Sequence, residues 1–169
     1  MGIVIAVASG KGGTGKTSVC AGLAAALAEK GRKVLCIDCD VGLRNLDISL
    51  GMSDCASLSF LDVCQGSYAL SDACRHPKYD GLFFLTAPMN TPVEKIDPEP
   101  FGRMLLEARQ QFDFVFLDAG TTTNELARLL SVRKNLVVMT NSLLAANSMI
   151  GMRDSKIIMC PGEFRELSM

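Results

Sequence analysis

Between positions 10 and 18 the chain reads Gly10, Lys11, Gly12, Gly13, Thr14, Gly15, Lys16, Thr17 and Ser18. This composition suits one task, the holding of a phosphate. Glycines let successive backbone N–H groups converge on phosphate oxygens, and a following helix adds the positive end of its dipole. The spacing assigns Lys16 to β- and γ-phosphates and the Thr17 hydroxyl to Mg²⁺. Such a turn can also be merely tight, but an apolar run before it (Ile3 to Ala8) and helical spacing after it supply the phosphate-loop setting.

Two more groups carry oxygen ligands. Asp38 and Asp40 follow the apolar run Val34 to Ile37, and Asp118 ends the run Phe114 to Leu117. Carboxylates at the carboxyl end of a strand beside a phosphate loop suit a Mg²⁺ site; their plainer reading is a solvated loop. Gly120, Thr121, Thr122 and Thr123 place three hydroxyls at an expected helix start. They are read either as a second anion site or simply as caps. Cys36 and Cys39 have redox-motif spacing but fall at the end of a buried strand, so they are read as structural. The single histidine, His76, precedes Pro77 in a polar stretch and is read as a turn residue, and no zinc quartet is visible.

Strand and helix patterns alternate along the whole chain. They predict an α/β fold, one doubly wound and mostly parallel sheet of about six or seven strands with helices on both faces, in a single domain over 1–169. The helix after the phosphate loop is expected to use Val19, Leu23, Ala26 and Leu27 as its apolar spacing and to stop at Gly31. Residues 38–54 are read as irregular, with Ser57 capping a short helix through Val63. Leu82 to Leu85 reads as a strand. Asp97 caps a helix with Pro98 at its first position and Phe101, Met104, Leu105, Ala108 and Phe112 on one face. Thr122 and Glu125 have capping-box spacing. Leu136 to Met139 and Ile157 to Cys160 are expected strands, with a helix around 142–150 between them.

Composition excludes several classes of function. Of 169 residues, 49% are hydrophobic and 21% charged, which excludes wholesale disorder. Lys plus Arg number 17 against 18 for Asp plus Glu, which argues against a nucleic-acid partner, since that needs a basic stripe. Arg128, Arg133 and Lys134 make only a small solvated cluster. The 7 cysteines are odd in number and scattered, so a reducing, cytoplasmic setting is expected. No run is long enough to span a bilayer and none reads as a signal or amphipathic anchor, so no membrane partner is expected.

Lys11 is not required by an ordinary phosphate loop. A lysine this early resembles the signature lysine of the deviant Walker A motif, which marks the MinD/ParA family of dimerising ATPases. The run Asp38-Cys39-Asp40-Val41-Gly42-Leu43-Arg44-Asn45-Leu46-Asp47 resembles that family's switch I segment, and Phe112 to Asp118 its Walker B strand. The resemblance implies a P-loop domain binding Mg²⁺ and ATP or ADP. By it, Asp40 orients the attacking water, Lys11 reaches the phosphates of a partner subunit, and Lys16 completes the catalytic set. Thr17, Asp38 and Asp118 form the metal set, with Asp118 acting through water. A weak homodimer is implied. Because the family's pattern extends beyond the residues here, weak or absent hydrolysis is expected.

After Asp118 the run 116–127, followed by 136–143, resembles instead the sugar-phosphate sensor of DeoR-type bacterial repressors, in which a threonine run binds an effector's phosphate. That implies a small sugar phosphate as an alternative ligand of Gly120 to Thr123. A ligand-free scaffold is a third reading. Taken together, the resemblances describe a chimera, more readily engineered than evolved, with residues 1–118 of MinD type and 119–169 of DeoR type. The two would share the strand Phe114 to Asp118.

Overall fold

The computed structural model describes residues 1–9, 12–41, 43–55, 58–89, 91, 95–119, 137–140, 146–147 and 156–159. Among them seven strands form one sheet: β1 (Ile3–Ala8), β2 (Val34–Asp38), β3 (Cys74–Arg75), β4 (Leu82–Leu85), β5 (Phe114–Asp118), β6 (Val137–Thr140) and β7 (Lys156–Met159). The order is β3-β4-β2-β5-β1-β6-β7. Every neighbouring pair is parallel except β3 with β4. The expected mostly parallel α/β sheet is therefore present.

Apolar residues alternate between the two faces because both are covered. Val4, Ala6, Leu35, Ile37, Val115 and Leu117 point into a core with Phe60, Phe101, Met104 and Leu105. The last three belong to α4 (Pro98–Gln111) and Phe60 to α3 (Phe60–Cys64). Val7, Val34, Cys36, Phe84 and Phe116 point the other way, against Cys20, Ala21, Ala24, Ala28, Leu46 and Leu50. Those come from α1 (Lys16–Glu29) and α2 (Leu46–Leu50).

Several local expectations hold. Gly31 ends α1 in the left-handed region at φ 76°. Its N–H reaches Ala28 O at 2.9 Å while Arg32 N reaches Leu27 O at 3.1 Å, the paired bonds of a Schellman stop. Asp97 caps α4 by accepting from Glu99 N at 3.0 Å, with Pro98 next in line.

Others are corrected. The buried face of α1 is Cys20, Ala21, Ala24 and Ala28, while Val19 and Leu23 remain 46% and 40% exposed. This helix is apolar nearly all round, so periodicity does not choose a face, and small side chains let it sit close to the sheet. The cap of α3 is Ser59, not Ser57: its hydroxyl accepts from Asp62 N at 3.2 Å and Asp62 Oδ2 accepts from Ser59 N at 3.1 Å. The stretch read as irregular contains α2. His76 lies in a turn but is only 7% exposed; its Nε2 meets Leu50 O at 2.9 Å and its Nδ1 accepts from Lys78 N and Tyr79 N. Of the expected strands near the end of the chain, 137–139 and 157–159 are strand, extended by Thr140 and Lys156, while Leu136 and Cys160 lie outside the described residues. Of the helix expected around 142–150, only 146 and 147 are described, both helical.

Candidate functional site

The site forms where β1, β2 and β5 end together. In the β1–β5 ladder Val7 pairs with Asp118, and in the β2–β5 ladder Asp38 pairs with Asp118. Adjacent strands lie about 4.8 Å apart, so the two aspartates close one end of the sheet beside the loop that leaves β1. Gly13 and Gly15 of that loop have φ of 70° and 83°. A Cβ at either would meet nothing within 4 Å, so the backbone conformation, not space, requires glycine there.

Gly15 is also the N-cap of α1. It provides no side-chain cap, and the first turn carries no acidic residue. The leading N–H groups and the dipole of α1 are thus presented toward the strand ends, the arrangement that receives an anion. Lys16 is half-buried at this terminus. A cleft of about 180 Å³ opens here, bounded by Ala8, Ser9, Thr14, Lys16 and Thr140. A larger hollow of about 760 Å³ runs between α1 and the Leu50 and His76 loops. It lies away from the aspartates and the phosphate loop, so its size does not make it the chemical centre.

The carboxyl groups are strongly perturbed. Asp38 is 1% exposed and pushed up to about 7, chiefly by burial. The N–H groups of Asp40 (2.9 Å) and Leu46 (3.2 Å) oppose that shift, and the charges of Asp118 and Asp40 add to it. Asp118 is 2% exposed and pushed up to about 6, again by burial, against the lowering effects of the Thr17 hydroxyl bond and the Lys16 charge. Its Oδ1 is buried with no hydrogen-bond partner among the described residues. Such an atom is costly to leave in place.

That orphan oxygen beside the Thr17 hydroxyl is the donor chemistry Mg²⁺ prefers: hard oxygen, few protein ligands, the remainder water and phosphate. No group of three or more His, Cys, Asp or Glu placed to hold a metal occurs among the described residues. The residues present fit a phosphate-bound Mg²⁺.

Asp40 sits half-buried on the turn after β2. Its Oδ1 accepts from Leu43 N at 3.3 Å and its carbonyl from Arg44 N at 3.2 Å. Arg44 has a φ of 47° and donates from Nε (3.1 Å) and Nη2 (2.8 Å) to Thr86 Oγ1. Thr86, 3% exposed beyond β4, ties the Asp40 turn to the sheet. Sequence reasoning quoted Arg44 but missed this pair, since Thr86 stands in no motif.

The structure brings Gly12 to Ser18, Asp38, Asp40 and Asp118 to one end of the sheet. Gly10, Lys11, Gly120, Thr121, Thr122 and Thr123 lie outside the described residues.

Residues 5–152 match the CobQ/CobB/MinD/ParA nucleotide binding domain. The septum site-determining protein MinD of Helicobacter pylori is 35% identical over 162 residues, 92% of this chain and 60% of that protein. The chain therefore spans about three fifths of the length of that curated relative. The Mg-ADP complex of MinD from Pyrococcus horikoshii superimposes with a TM-score of 0.67 at 30% identity, covering 88% of this chain and 62% of the other. A chain of the MinC:MinD cell division protein complex of Aquifex aeolicus gives 0.71 at 28%, covering 93% and 68%. These matches run past residue 118, where the two-family reading placed its junction. The DeoR-type resemblance and the chimera gain no support from them.

Proposed function

The chain belongs to the CobQ/CobB/MinD/ParA nucleotide-binding family, and from that premise we propose that it binds an adenine nucleotide with Mg²⁺ where β1, β2 and β5 end. The observation that carries this reading is the uncapped start of α1 beside a buried Asp118 whose Oδ1 lacks a partner. A metal-bound polyphosphate supplies oxygens toward which the leading N–H groups of the helix can point, and positive charge for the carboxylate.

In this reading the backbone of Gly10 to Gly15 and the N–H groups of Lys16 to Ser18 cradle the phosphates. Lys16 balances their charge. Thr17 and Asp118 hold the metal, Asp118 through water, with Asp38 beside it. Mg²⁺, when bound, neutralises charge on the β- and γ-oxygens. Asp40 orients the water that attacks the terminal phosphate, and the Arg44–Thr86 link fixes where its turn lies. Lys11 is assigned to the phosphates of a second copy, so one copy alone turns over slowly and hydrolysis depends on a weak homodimer.

We take residues 1–169 as one domain, a reading supported by the family match running across residue 118. Free thiols at all six described cysteines support a reducing cytoplasmic setting. No helix among the described residues is long and apolar enough to cross a membrane.

Retention on immobilised ATP tests the reading. Elution by Mg-ATP but not by a sugar phosphate is expected; elution by the sugar phosphate would move the ligand to the threonine run.

A further inference from the structure

The Asp38 carboxyl group is held by two backbone donors, one for each oxygen. Asp40 N donates to Oδ1 at 2.9 Å and Leu46 N to Oδ2 at 3.2 Å. Leu46 opens α2, so one oxygen of the site depends on where that helix lies. At five residues α2 is too short to persist on its own hydrogen bonds, and its ends must be fixed from outside. Leu46 N is tied to Asp38 at the carboxyl end of β2. Leu50 O, on the last helical residue, meets His76 Nε2 at 2.9 Å. A side chain thus serves a carbonyl that the helix itself leaves unpaired.

His76 is firmly held in turn. Lys78 N and Tyr79 N donate to its Nδ1 at 3.0 and 3.1 Å, which leaves Nε2 to donate. Its own N–H donates to Leu82 O at 2.9 Å, at the start of β4. Leu82 is the register partner of Val34, so this anchor lies four residues, about 13 Å, down β2 from Asp38. Leu46 and Leu50 are buried in the same core as Cys36 and Phe84. α2 therefore braces the sheet lengthwise, with a carboxylate of the site at one end and a buried histidine at the other.

On the reading that Mg²⁺ and nucleotide bind beside Asp38, we propose that His76 is a positioning residue for the Asp38 carboxylate, acting through α2. It touches neither metal nor phosphate. While Nε2 holds Leu50 O, Leu46 N stays on Oδ2 and the carboxyl group keeps one orientation beside Asp118. When that bond is lost, α2 loosens from its far end and Asp38 gives up one of its two donors.

Two substitutions divide the duties of the histidine. Asn places its side-chain oxygen where Nδ1 stood and serves Lys78 N and Tyr79 N without reaching Leu50 O. Gln places its side-chain nitrogen where Nε2 stood and reaches Leu50 O without serving the loop. Both cost stability, but only Asn cuts the tie to α2.

The first readout needs no ligand. Amide exchange at Leu46, followed by NMR in the ligand-free full chain, should speed up about tenfold in His76→Asn and stay near wild type in His76→Gln. The second readout is the Mg²⁺ concentration that half-completes the gain in ADP affinity. It should rise about tenfold in His76→Asn, the lower end of the loss when support behind a metal ligand is removed, and stay put in His76→Gln. ADP affinity in a chelator should be the same in all three proteins. Gly51→Ala strains the same helix end without touching the histidine, since Gly51 has φ 68° and an added Cβ meets nothing within 4 Å. It should move both readouts the same way, and it stands in if His76→Asn folds poorly. A wild type indifferent to Mg²⁺ would count against the nucleotide reading, with Leu46 exchange still deciding the tie through α2. Unchanged Leu46 exchange in His76→Asn, or equal effects of Asn and Gln on either readout, would overturn the proposal.

Discussion

Asp38 and Asp118 face each other as register partners at the carboxyl ends of neighbouring parallel strands, and both carboxyl groups are almost wholly buried. Each is held above the ordinary carboxylate range, at about 7 and about 6. A pair so placed favours protons while no cation is present, and it exchanges them for a metal when one arrives.

The pH dependence follows with a definite sign. A carboxyl whose folded pKa is raised binds its proton more tightly in the folded state than in the unfolded one. The ligand-free protein should therefore lose stability as pH rises from about 4 through about 7, by a few kcal/mol for the two groups together. Asp118→Asn should flatten part of that slope and raise the Tm above pH 7, because it removes the buried charge while its amide oxygen still serves Thr17. Melting curves between pH 4 and 8 check both. A slope that rises across this window in the wild type contradicts the assignment.

Metal dependence should track the same groups. The gain in nucleotide affinity on adding Mg²⁺ is expected to grow from pH 5 to pH 8 as the proton ceases to compete, and to vanish in Asp118→Asn. Titrations of ADP with Mg²⁺ and with a chelator measure the difference.

Thr86→Val is nearly isosteric but leaves the two Arg44 donors without their acceptor. A loss of about 1 to 3 kcal/mol is expected from urea unfolding. Hydrolysis per site should also fall, because the Asp40 turn loses its anchor to β4. Unchanged stability together with unchanged turnover would show that the Arg44–Thr86 link holds nothing.

His76 serves three backbone groups from inside the fold. Replacing it by Ala removes all three bonds and some packing, and a loss of about 3 kcal/mol or more is expected. Nδ1 faces two N–H donors and so accepts, which leaves Nε2 to donate to Leu50 O.

Much of this was legible in the sequence, for physical reasons that also mark its limits. The Gly12 to Ser18 loop and the strands ending at Asp38 and Asp118 announced themselves, because glycine spacing and apolar runs of strand length carry their own geometry. The buried face of α1 did not: where Cys20, Ala21, Val19 and Leu23 are all apolar, only the tertiary packing says which touch the sheet. Ser57 and Ser59 offer the same capping chemistry, and the choice fell to the one with Asp62 three residues on. His76 looked like a surface turn because a lone polar residue beside proline usually is one. Its burial depends on Leu50 O, which lies 26 positions away and leaves no local signal. The threonine run at 121–123 was given a second family's role on local likeness alone, whereas the family match reads through it.

The central claim is that the loop before α1 holds nucleotide phosphates, and thermal unfolding of wild type and Lys16→Ala with Mg-ADP tests it most directly. At a hundredfold excess of ligand over its Kd the wild type should gain about 2.7 kcal/mol, while Lys16→Ala should fold normally and gain almost nothing. Equal stabilisation of the two proteins, or none of the wild type, would contradict the account.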